Sequence, residues 1–317
     1  MFDNDLTIVF QGPIIEDIAL ESILSVKETL PNVKIILSTW EDDAERAERI
    51  QKAIPFKISL ILNKDPGAKY IKPNSPLNIN RLIVSSLSGV KAAKTQYVFK
   101  CRSDIKFINN GFVEIYNNYC NLQENNGRKF FEKRVLISNQ TTLDPLVVPI
   151  IYHTCDWLAL GKKTDLIKMF DIDLMPDNDF HWFLNNKKPE DLIDPGRVSR
   201  YCSEDYLGYK LCEKFIPTVD HKNYYHFNDE QLKLWQDIVG DNFIIASNYQ
   251  IGVVALKYKK LKSFFLYKSY SHVGWKVLSG IDISFSEFLV DLYVKKIRFS
   301  LYMCYTVFIQ IRSNLKI

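Results

Sequence analysis

The chain has 317 residues and a formal net charge of +4, with 47% hydrophobic and 25% charged residues. That balance is typical of a globular protein, and a content of only 12 Gly and 12 Pro excludes a collagen-like or low-complexity chain. At this length we expect one large domain, or one domain with a substantial appendage.

The positive charge is concentrated at the C-terminal end. Residues 257–317 contain 11 basic and 3 acidic residues, whereas residues 1–256 contain 30 basic and 34 acidic residues. We therefore predict a body over residues 1–240 and a basic, aromatic appendage over residues 241–317 that docks on an anionic membrane surface. The aromatic residues expected to contact that surface are Phe264, Phe265, Trp275, Phe285, Phe299, Tyr302 and Phe308. The alternative is that these residues pack on the body or form a dimer contact.

The sequence offers no sign of secretion or membrane crossing. The N-terminus is acidic and lacks the apolar run of a signal peptide. The stretch 299–311 is uncharged for 13 residues, short of the ~20 that a spanning helix needs. The six Cys are scattered without a CxxC pair, as expected of small buried apolar residues. We predict a cytoplasmic protein that is peripheral on the inner face of the cytoplasmic membrane.

Strands and helices alternate along the first hundred residues. Short apolar runs, typical of strands buried on both faces, predict strands at 6–10, 33–37, 57–62 and 97–101. Apolar residues at helical spacing predict helices at 17–30, 42–53 and 78–94. Further along we predict strands at 135–138 and 156–160, helices at 163–170 and 203–215, and loops at 63–77 and 171–198. This pattern predicts an α/β fold with a mostly parallel sheet flanked by helices.

Polar clusters follow three of the predicted strands. Ligands of open α/β sheets bind beyond the carboxyl ends of the strands, so these clusters are candidates for one site. Each cluster taken alone also fits ordinary turn or capping chemistry. The clusters are Gln11-Gly12-Pro13, Ser38-Thr39-Trp40 and Arg102-Ser103-Asp104.

Several enzyme classes lose support because their signatures are missing from the sequence. Neither GxGxxG nor GxxxxGK[ST] occurs, which disfavours a nicotinamide dehydrogenase and a P-loop enzyme. GxSxG and HExxH are missing as well. A different acidic candidate is Glu204-Asp205, which follows Ser203 at a predicted helix start and fits either a functional pair or a capping pair on the helix dipole.

Five stretches carry a resemblance to a known family. They are VFQGPI (9–14), ILSTWED (36–42), NINRLIVSSLSGVKAAKTQYVFKCRSD (78–104), HTCDWLALG (153–161) and CSEDYL (202–207). In this order they resemble the WavE-like lipopolysaccharide-synthesis family of bacterial surface-glycan glycosyltransferases. The resemblance implies a GT-A-like, Rossmann-type fold. It also implies a hexosyltransferase-type transfer from a nucleotide sugar, most commonly a UDP-sugar, to a lipopolysaccharide, lipo-oligosaccharide or capsule acceptor that is an oligosaccharide or is lipid-linked.

The resemblance also assigns expected roles to the candidate residues. It implies that Gln11, Gly12, Pro13, Ser38, Thr39 and Trp40 face the nucleotide. Asn78 and Arg81 would approach the sugar or the diphosphate, and Asp156 and Trp157 the donor or the acceptor. Glu204 and Asp205 would be the catalytic pair of an inverting transferase. Of the two we expect Asp205 to be the general base, with Glu204 as the alternative.

Asp104 is the expected metal ligand. GT-A transferases hold Mg²⁺ or Mn²⁺ with an Asp-x-Asp motif after a strand, and here Lys106 stands in place of the second acid. We therefore expect weak metal dependence, with Arg102 or Lys106 supplying positive charge to the diphosphate.

Two other functions remain open at this point. One is a non-catalytic glycan-binding or assembly subunit that kept the fold. The other is a nucleotidyltransferase, for which Gln11-Gly12-Pro13 is a poor match to the usual Gly-rich first loop. A nucleic-acid partner is not expected, because no nucleic-acid-binding motif accompanies the basic appendage.

Overall fold

The computed structural model describes residues 5–72, 75–188, 196–258 and 268–314. Within these ranges the chain forms one large sheet, two short strand pairs and surrounding helices. The strands are β1 (Leu6–Gln11), β2 (Lys34–Trp40), β3 (Ser59–Asn63), β4 (Lys69–Lys72), β5 (Ser75–Leu77), β6 (Tyr97–Arg102), β7 (Ile105–Phe107), β8 (Val135–Ser138), β9 (Leu158–Lys162), β10 (Phe243–Ala246) and β11 (Val253–Ala255).

The helices flank this sheet and form the C-terminal end of the chain. They are α1 (Glu16–Thr29), α2 (Ala44–Ala53), α3 (Ile79–Ala92), α4 (Gly111–Tyr119), α5 (Lys163–Phe170), α6 (Asp177–Phe180), α7 (Trp182–Asn185), α8 (Ser203–Phe215), α9 (Asp229–Asn242), α10 (Asn248–Ile251), α11 (His272–Leu278) and α12 (Phe285–Asn314). Short 3₁₀ turns cover Glu41–Asp43 and Leu256–Tyr258.

The central sheet has seven strands in the order β10-β8-β9-β6-β1-β2-β3. Strand β9 runs antiparallel to both of its neighbours, and every other pairing in the sheet is parallel. All six residues of β1 are buried, as expected of a strand covered by helices on both faces. The mixed α/β architecture with a mostly parallel sheet confirms the predicted fold class.

Two predicted loops contain regular structure. The 63–77 segment forms the β4–β5 hairpin, and the 171–198 segment contains the short helices α6 and α7. Neither was predicted, because elements of three or four residues are too short to show a hydrophobic period.

The body continues past residue 240, where the predicted boundary lies. Strand β10 pairs with β8 at the edge of the central sheet, and α11 packs against α9 and β10. Trp275 of α11, predicted to face a membrane, is instead fully buried and donates a 2.6 Å hydrogen bond from its indole nitrogen to the Phe243 carbonyl. Five of the six Cys are buried, as predicted, and Cys304 is exposed. Outside the described part of the structure lie Phe264 and Phe265, and also the side chains of Phe299, Tyr302 and Phe308.

Candidate functional site

The three polar clusters lie side by side at one edge of the sheet. In the parallel register Gln11 of β1 is opposite Ser38 of β2 on one side and Arg102 of β6 on the other. Gly12 turns the chain directly after β1 with a φ of +102°, a left-handed conformation that favours glycine, and its amide donates to the Ser38 carbonyl. The carboxyl ends of these strands therefore form one continuous ledge.

The side chains of Gln11, Ser38 and Thr39 are buried within this ledge. The Ser85 hydroxyl of α3 donates 2.7 Å to Gln11 Oε1, and the Ser38 hydroxyl donates 2.7 Å to the Ser85 carbonyl. Asn63 Nδ2 donates to Ser38 Oγ and to the Thr39 carbonyl. In this arrangement the Gln11 and Ser38 side chains hold α3 and β3 against the ledge, whereas the Thr39 hydroxyl donates 3.1 Å to Asp43 Oδ2. Pro13 is the exposed member of the first cluster.

Arg81 of α3 is paired with Asp65. Asp65 was not among the candidate residues predicted from the sequence. Arg81 Nε donates 2.8 Å to Asp65 Oδ1, and a second guanidinium nitrogen donates to Oδ2. These hydrogen bonds from Arg81 lower the pKa of Asp65 and raise that of Arg81. The Arg81 guanidinium also lies 5.9 Å from the centre of the Trp40 ring. Arg81 Nη1 lies 3.5 Å from Asn78 Oδ1. Trp40 is only 4% exposed, so its ring faces protein rather than an open cleft.

Arg102 and Asp104 form a forked ion pair. Nε and Nη2 of Arg102 donate to the two Asp104 oxygens at 2.9 Å each. The guanidinium also lies 4.8 Å from the centre of the half-buried Trp157 ring, and the Arg102 amide donates to the Trp157 carbonyl. Lys106 instead donates 2.9 Å to Glu21 of α1. Arg102, rather than Lys106, is therefore the cation beside Asp104.

Asp156 precedes β9 and lies between cationic and acidic groups. Burial and the nearby Glu204 raise its pKa to about 6, while Lys100 and Arg102 act in the opposite direction. Among the described residues its Oδ1 atom has no hydrogen-bond partner. The Lys100 side chain is fully buried inside β6 and donates 2.5 Å to the Asp156 carbonyl, and burial lowers its pKa to about 8.

Glu204 and Asp205 occupy different environments at the start of α8. Asp205 is fully buried and accepts a 2.5 Å hydrogen bond from the Cys202 amide, while its own amide is 3.5 Å from Cys202 Sγ. Its second oxygen lies 3.4 Å from His221 Nε2. This is a capping box that completes the first turn. Glu204 is half-buried, and burial raises its pKa.

Close packing fixes the start of α8 against the segment before β9. A Cβ atom on Gly208 would lie 1.9 Å from the Tyr152 carbonyl oxygen, so the helix and this segment meet backbone to backbone. The Thr154 amide donates to the Glu204 carbonyl. Tyr152 and Thr141 have φ values of 59° and 65°, which are strained for residues with side chains. Such strain collects at functional sites.

His153, Cys202 and Glu204 bring three metal-ligand atom types within 4.8 Å of one another. The His153 Nδ1 atom bonds to the Thr141 carbonyl, and burial lowers the pKa of this imidazole to about 4. The ring is therefore neutral, with Nε2 as its second nitrogen. Thiolate and imidazole ligands suit Zn²⁺ better than Mg²⁺ or Mn²⁺. The segments HTCDW and CSED already indicated this cluster in the sequence. Each of them places one of the residues, His153 or Cys202, within three positions of an acidic residue.

The structure thus separates the candidate residues into two groups along the ledge. One is the forked pair Arg81–Asp65 with Trp40 and Asn78. The other joins Arg102, Asp104, Trp157 and Asp156 to the start of α8. Half-buried or exposed side chains in these groups are Asn78, Arg81, Arg102, Asp156, Trp157 and Glu204.

These observations define a class of protein. It is an α/β protein with a mostly parallel sheet, and acidic residues and arginines lie beyond the carboxyl ends of its strands. The chain belongs to the family described as WavE lipopolysaccharide synthesis, whose sequence profile matches residues 6–305. The family resemblance is therefore confirmed, over a longer span than the one predicted. Membership supports a role in lipopolysaccharide synthesis. No curated protein matches the chain.

Several solved structures are similar to the chain at low sequence identity. The galactosyltransferase LgtC, solved with donor and acceptor sugar analogs, shares 11% identity over 89% of this chain and 98% of its own, with a TM-score of 0.40. Mouse xyloside xylosyltransferase 1 shares 10% over 68% and 83%, with a TM-score of 0.36. The 4-diphosphocytidyl-2C-methyl-D-erythritol synthase of Anaerococcus prevotii shares 10% over 74% and 97%, also with a TM-score of 0.36.

Proposed function

We propose that this protein is an inverting glycosyltransferase that moves a sugar from a nucleotide-sugar donor to a bacterial surface-glycan acceptor. The observation that carries the proposal is the neighbourhood of Asp156. Arg102, which packs 4.8 Å from the adjacent Trp157 ring, lowers the pKa of Asp156, and Glu204, whose carbonyl accepts the Thr154 amide, raises it. A cation for a leaving diphosphate and a carboxylate for an incoming hydroxyl group are thus neighbours. Family membership supports the surface-glycan acceptor.

In the proposed reaction Arg102 binds the diphosphate. Asp104 holds the guanidinium in place with two hydrogen bonds, and Trp157 packs near it. As the bond between the anomeric carbon and the diphosphate oxygen breaks, negative charge grows on that oxygen and Arg102 stabilises it. Trp157, which is half-buried, is the tryptophan of the site with surface left for a sugar or base ring.

Glu204 is the proposed general base. Its carboxylate takes the proton of the acceptor hydroxyl group while that oxygen forms a bond to the anomeric carbon. Partial exposure gives it access to an acceptor, whereas Asp205 is fully buried and both of its oxygens have partners. A raised pKa makes Glu204 a better proton acceptor than an ordinary surface carboxylate. Asp205 then acts as a positioning residue that caps α8.

The residues around Asp104 do not fit the predicted Mg²⁺ or Mn²⁺ as they stand. Both carboxylate oxygens already accept hydrogen bonds from Arg102, whose positive charge lies where the ion's charge would be needed. The cluster of His153, Cys202 and Glu204 is softer and involves the proposed base itself. The proposed transfer therefore depends on Arg102 for charge stabilisation.

A donor screen tests this function. The purified protein is incubated with UDP-, GDP-, CMP- and dTDP-sugars, with and without deacylated lipopolysaccharide oligosaccharide, and the release of nucleotide and of pyrophosphate is measured. Acceptor-stimulated nucleotide release supports the proposal. In a parallel incubation with a sugar phosphate and a nucleoside triphosphate, pyrophosphate release identifies a nucleotidyltransferase instead. Oligosaccharide binding without turnover of any donor identifies a non-catalytic subunit.

A further inference from the structure

Helix α12 exposes an unusual amount of apolar surface. Ten of its large apolar side chains are 40–75% exposed: Phe285, Phe288, Leu289, Val290, Leu292, Tyr293, Val294, Ile297, Leu301 and Met303. Consecutive helical residues point about 100° apart, so the runs at 288–290 and 292–294 place apolar groups around most of the helix. A helix that is apolar all round is normally surrounded by protein or lipid.

The first turns of α12 are fixed to the body. Ser284 and Glu287 form reciprocal hydrogen bonds of 3.0 and 3.2 Å that cap the helix, and Glu287 also pairs with Lys276 of α11 at 3.3 Å. Asp291 is 8% exposed and accepts a hydrogen bond from the Ser271 hydroxyl. The two acidic residues of α12, Glu287 and Asp291, thus both contact the body. They fix the position at which the helix leaves it.

The remainder of the chain is basic. After Asp291 the sequence contains Lys295, Lys296, Arg298, Arg312 and Lys316 and no acidic residue. Exposed apolar side chains interspersed with basic residues, with no acidic residue after Asp291, suit a surface that offers both acyl chains and anionic headgroups. Pairing with a second α12 would need an apolar seam along one stripe and would bring two sets of positive charges together.

We infer that α12 is an interfacial helix that docks the protein on an anionic lipid surface. Its 30 residues span about 45 Å. Among the described helices none is both long enough and apolar enough to cross a bilayer. The inference is independent of the proposed reaction, although a lipid-linked acceptor would be confined to the same surface.

Flotation of the full-length protein with vesicles tests the inference. Vesicles of phosphatidylcholine with 30% phosphatidylglycerol are compared with pure phosphatidylcholine. The variant Lys295→Glu/Lys296→Glu/Arg298→Glu should bind the anionic vesicles about a hundredfold more weakly, since each basic residue near such a surface contributes about fivefold. The variant Phe288→Gln/Leu292→Gln/Leu301→Gln should lose the binding that persists at high salt.

The matched control reverses three exposed lysines on the body, Lys34→Glu/Lys52→Glu/Lys64→Glu, and changes the net charge equally. We expect it to retain wild-type binding. An equal loss in the control and the α12 variant would overturn the inference, because binding would then depend on net charge alone. The inference is also overturned if the wild-type protein binds neither kind of vesicle. It is likewise overturned if sedimentation without lipid shows that the wild type is a dimer and the glutamine variant is not.

Discussion

The guanidinium of Arg102 is held by Asp104, two residues further along the chain, through two hydrogen bonds of 2.9 Å. Asp104 is 4% exposed, and its carbonyl accepts the Leu256 amide beyond β11. A buried carboxylate of this kind fixes the orientation of the guanidinium. Asp104 is therefore expected to influence donor chemistry through Arg102.

Asp104→Asn should lower donor turnover by one to several orders of magnitude. The amide cannot accept both hydrogen bonds and loses the charge that orients Arg102, so stabilisation of the leaving group weakens. Nucleotide release under saturating donor measures the effect, and Asp171→Asn, an exposed acid paired with Lys91, is the control. Wild-type turnover in Asp104→Asn would contradict this role. Complete loss of wild-type activity in a chelator would contradict the expected weak metal dependence.

Glu204→Gln and Asp205→Asn should have different consequences. The first should lower kcat by about 10²–10⁴-fold with little change in donor affinity, because it removes the proposed proton acceptor. The second should mainly lower stability, by about 1–3 kcal/mol, because a capping and fully buried carboxylate is lost. Kinetics and urea unfolding of both variants separate the two roles. The reverse pattern would make Asp205 the base.

Lys100 should make stability depend on pH in a defined window. Its pKa is about 8 in the folded protein and near 10.5 for an ordinary lysine. Between these values the unfolded chain binds more protons than the folded one, so the free energy of unfolding should rise with pH, by up to about 1.4 kcal/mol per unit. The measurement is urea unfolding from pH 7 to 10.5, with Lys100→Met as the reference that removes the group. Parallel curves for the two proteins would refute the assignment.

Gly208→Ala should destabilise the fold strongly. The added methyl group would overlap the Tyr152 carbonyl oxygen at 1.9 Å, so α8 has to move away from the segment that carries His153 and Asp156. We expect a loss of about 3 kcal/mol or more, as for other overpacked sites. Gly67→Ala is the control, because Gly67 has a left-handed φ of +85° but no atom within 4 Å of the place that an added methyl group would take. A similar, small loss in both variants would show that α8 can shift freely.

Local patterns in the sequence located the main elements well. Helices α5 and α8 occupy the predicted ranges, and β1 and β6 extend one residue beyond theirs. Short apolar runs and apolar residues at helical spacing reflect which residues of a single segment are buried. This pattern can be read directly from the sequence. The same reasoning placed Gln11, Ser38 and Arg102 on one edge, since parallel strands end together.

Tertiary packing decided what the side chains of the candidate site contact. Neighbours such as Glu204 and Asp205 look equivalent in the sequence, yet the helix cap buries one and leaves the other partly exposed. Asp65 reaches Arg81 only because the β3 end lies beside α3. Trp275 belongs to a basic, aromatic stretch, but α11 packs it against β10. The sequence by itself determined most of the longer strands and helices within residues 6–215 and the shared edge at which β1, β2 and β6 end. Only the tertiary structure decided which polar groups pair, because pairing depends on distances between residues far apart along the chain.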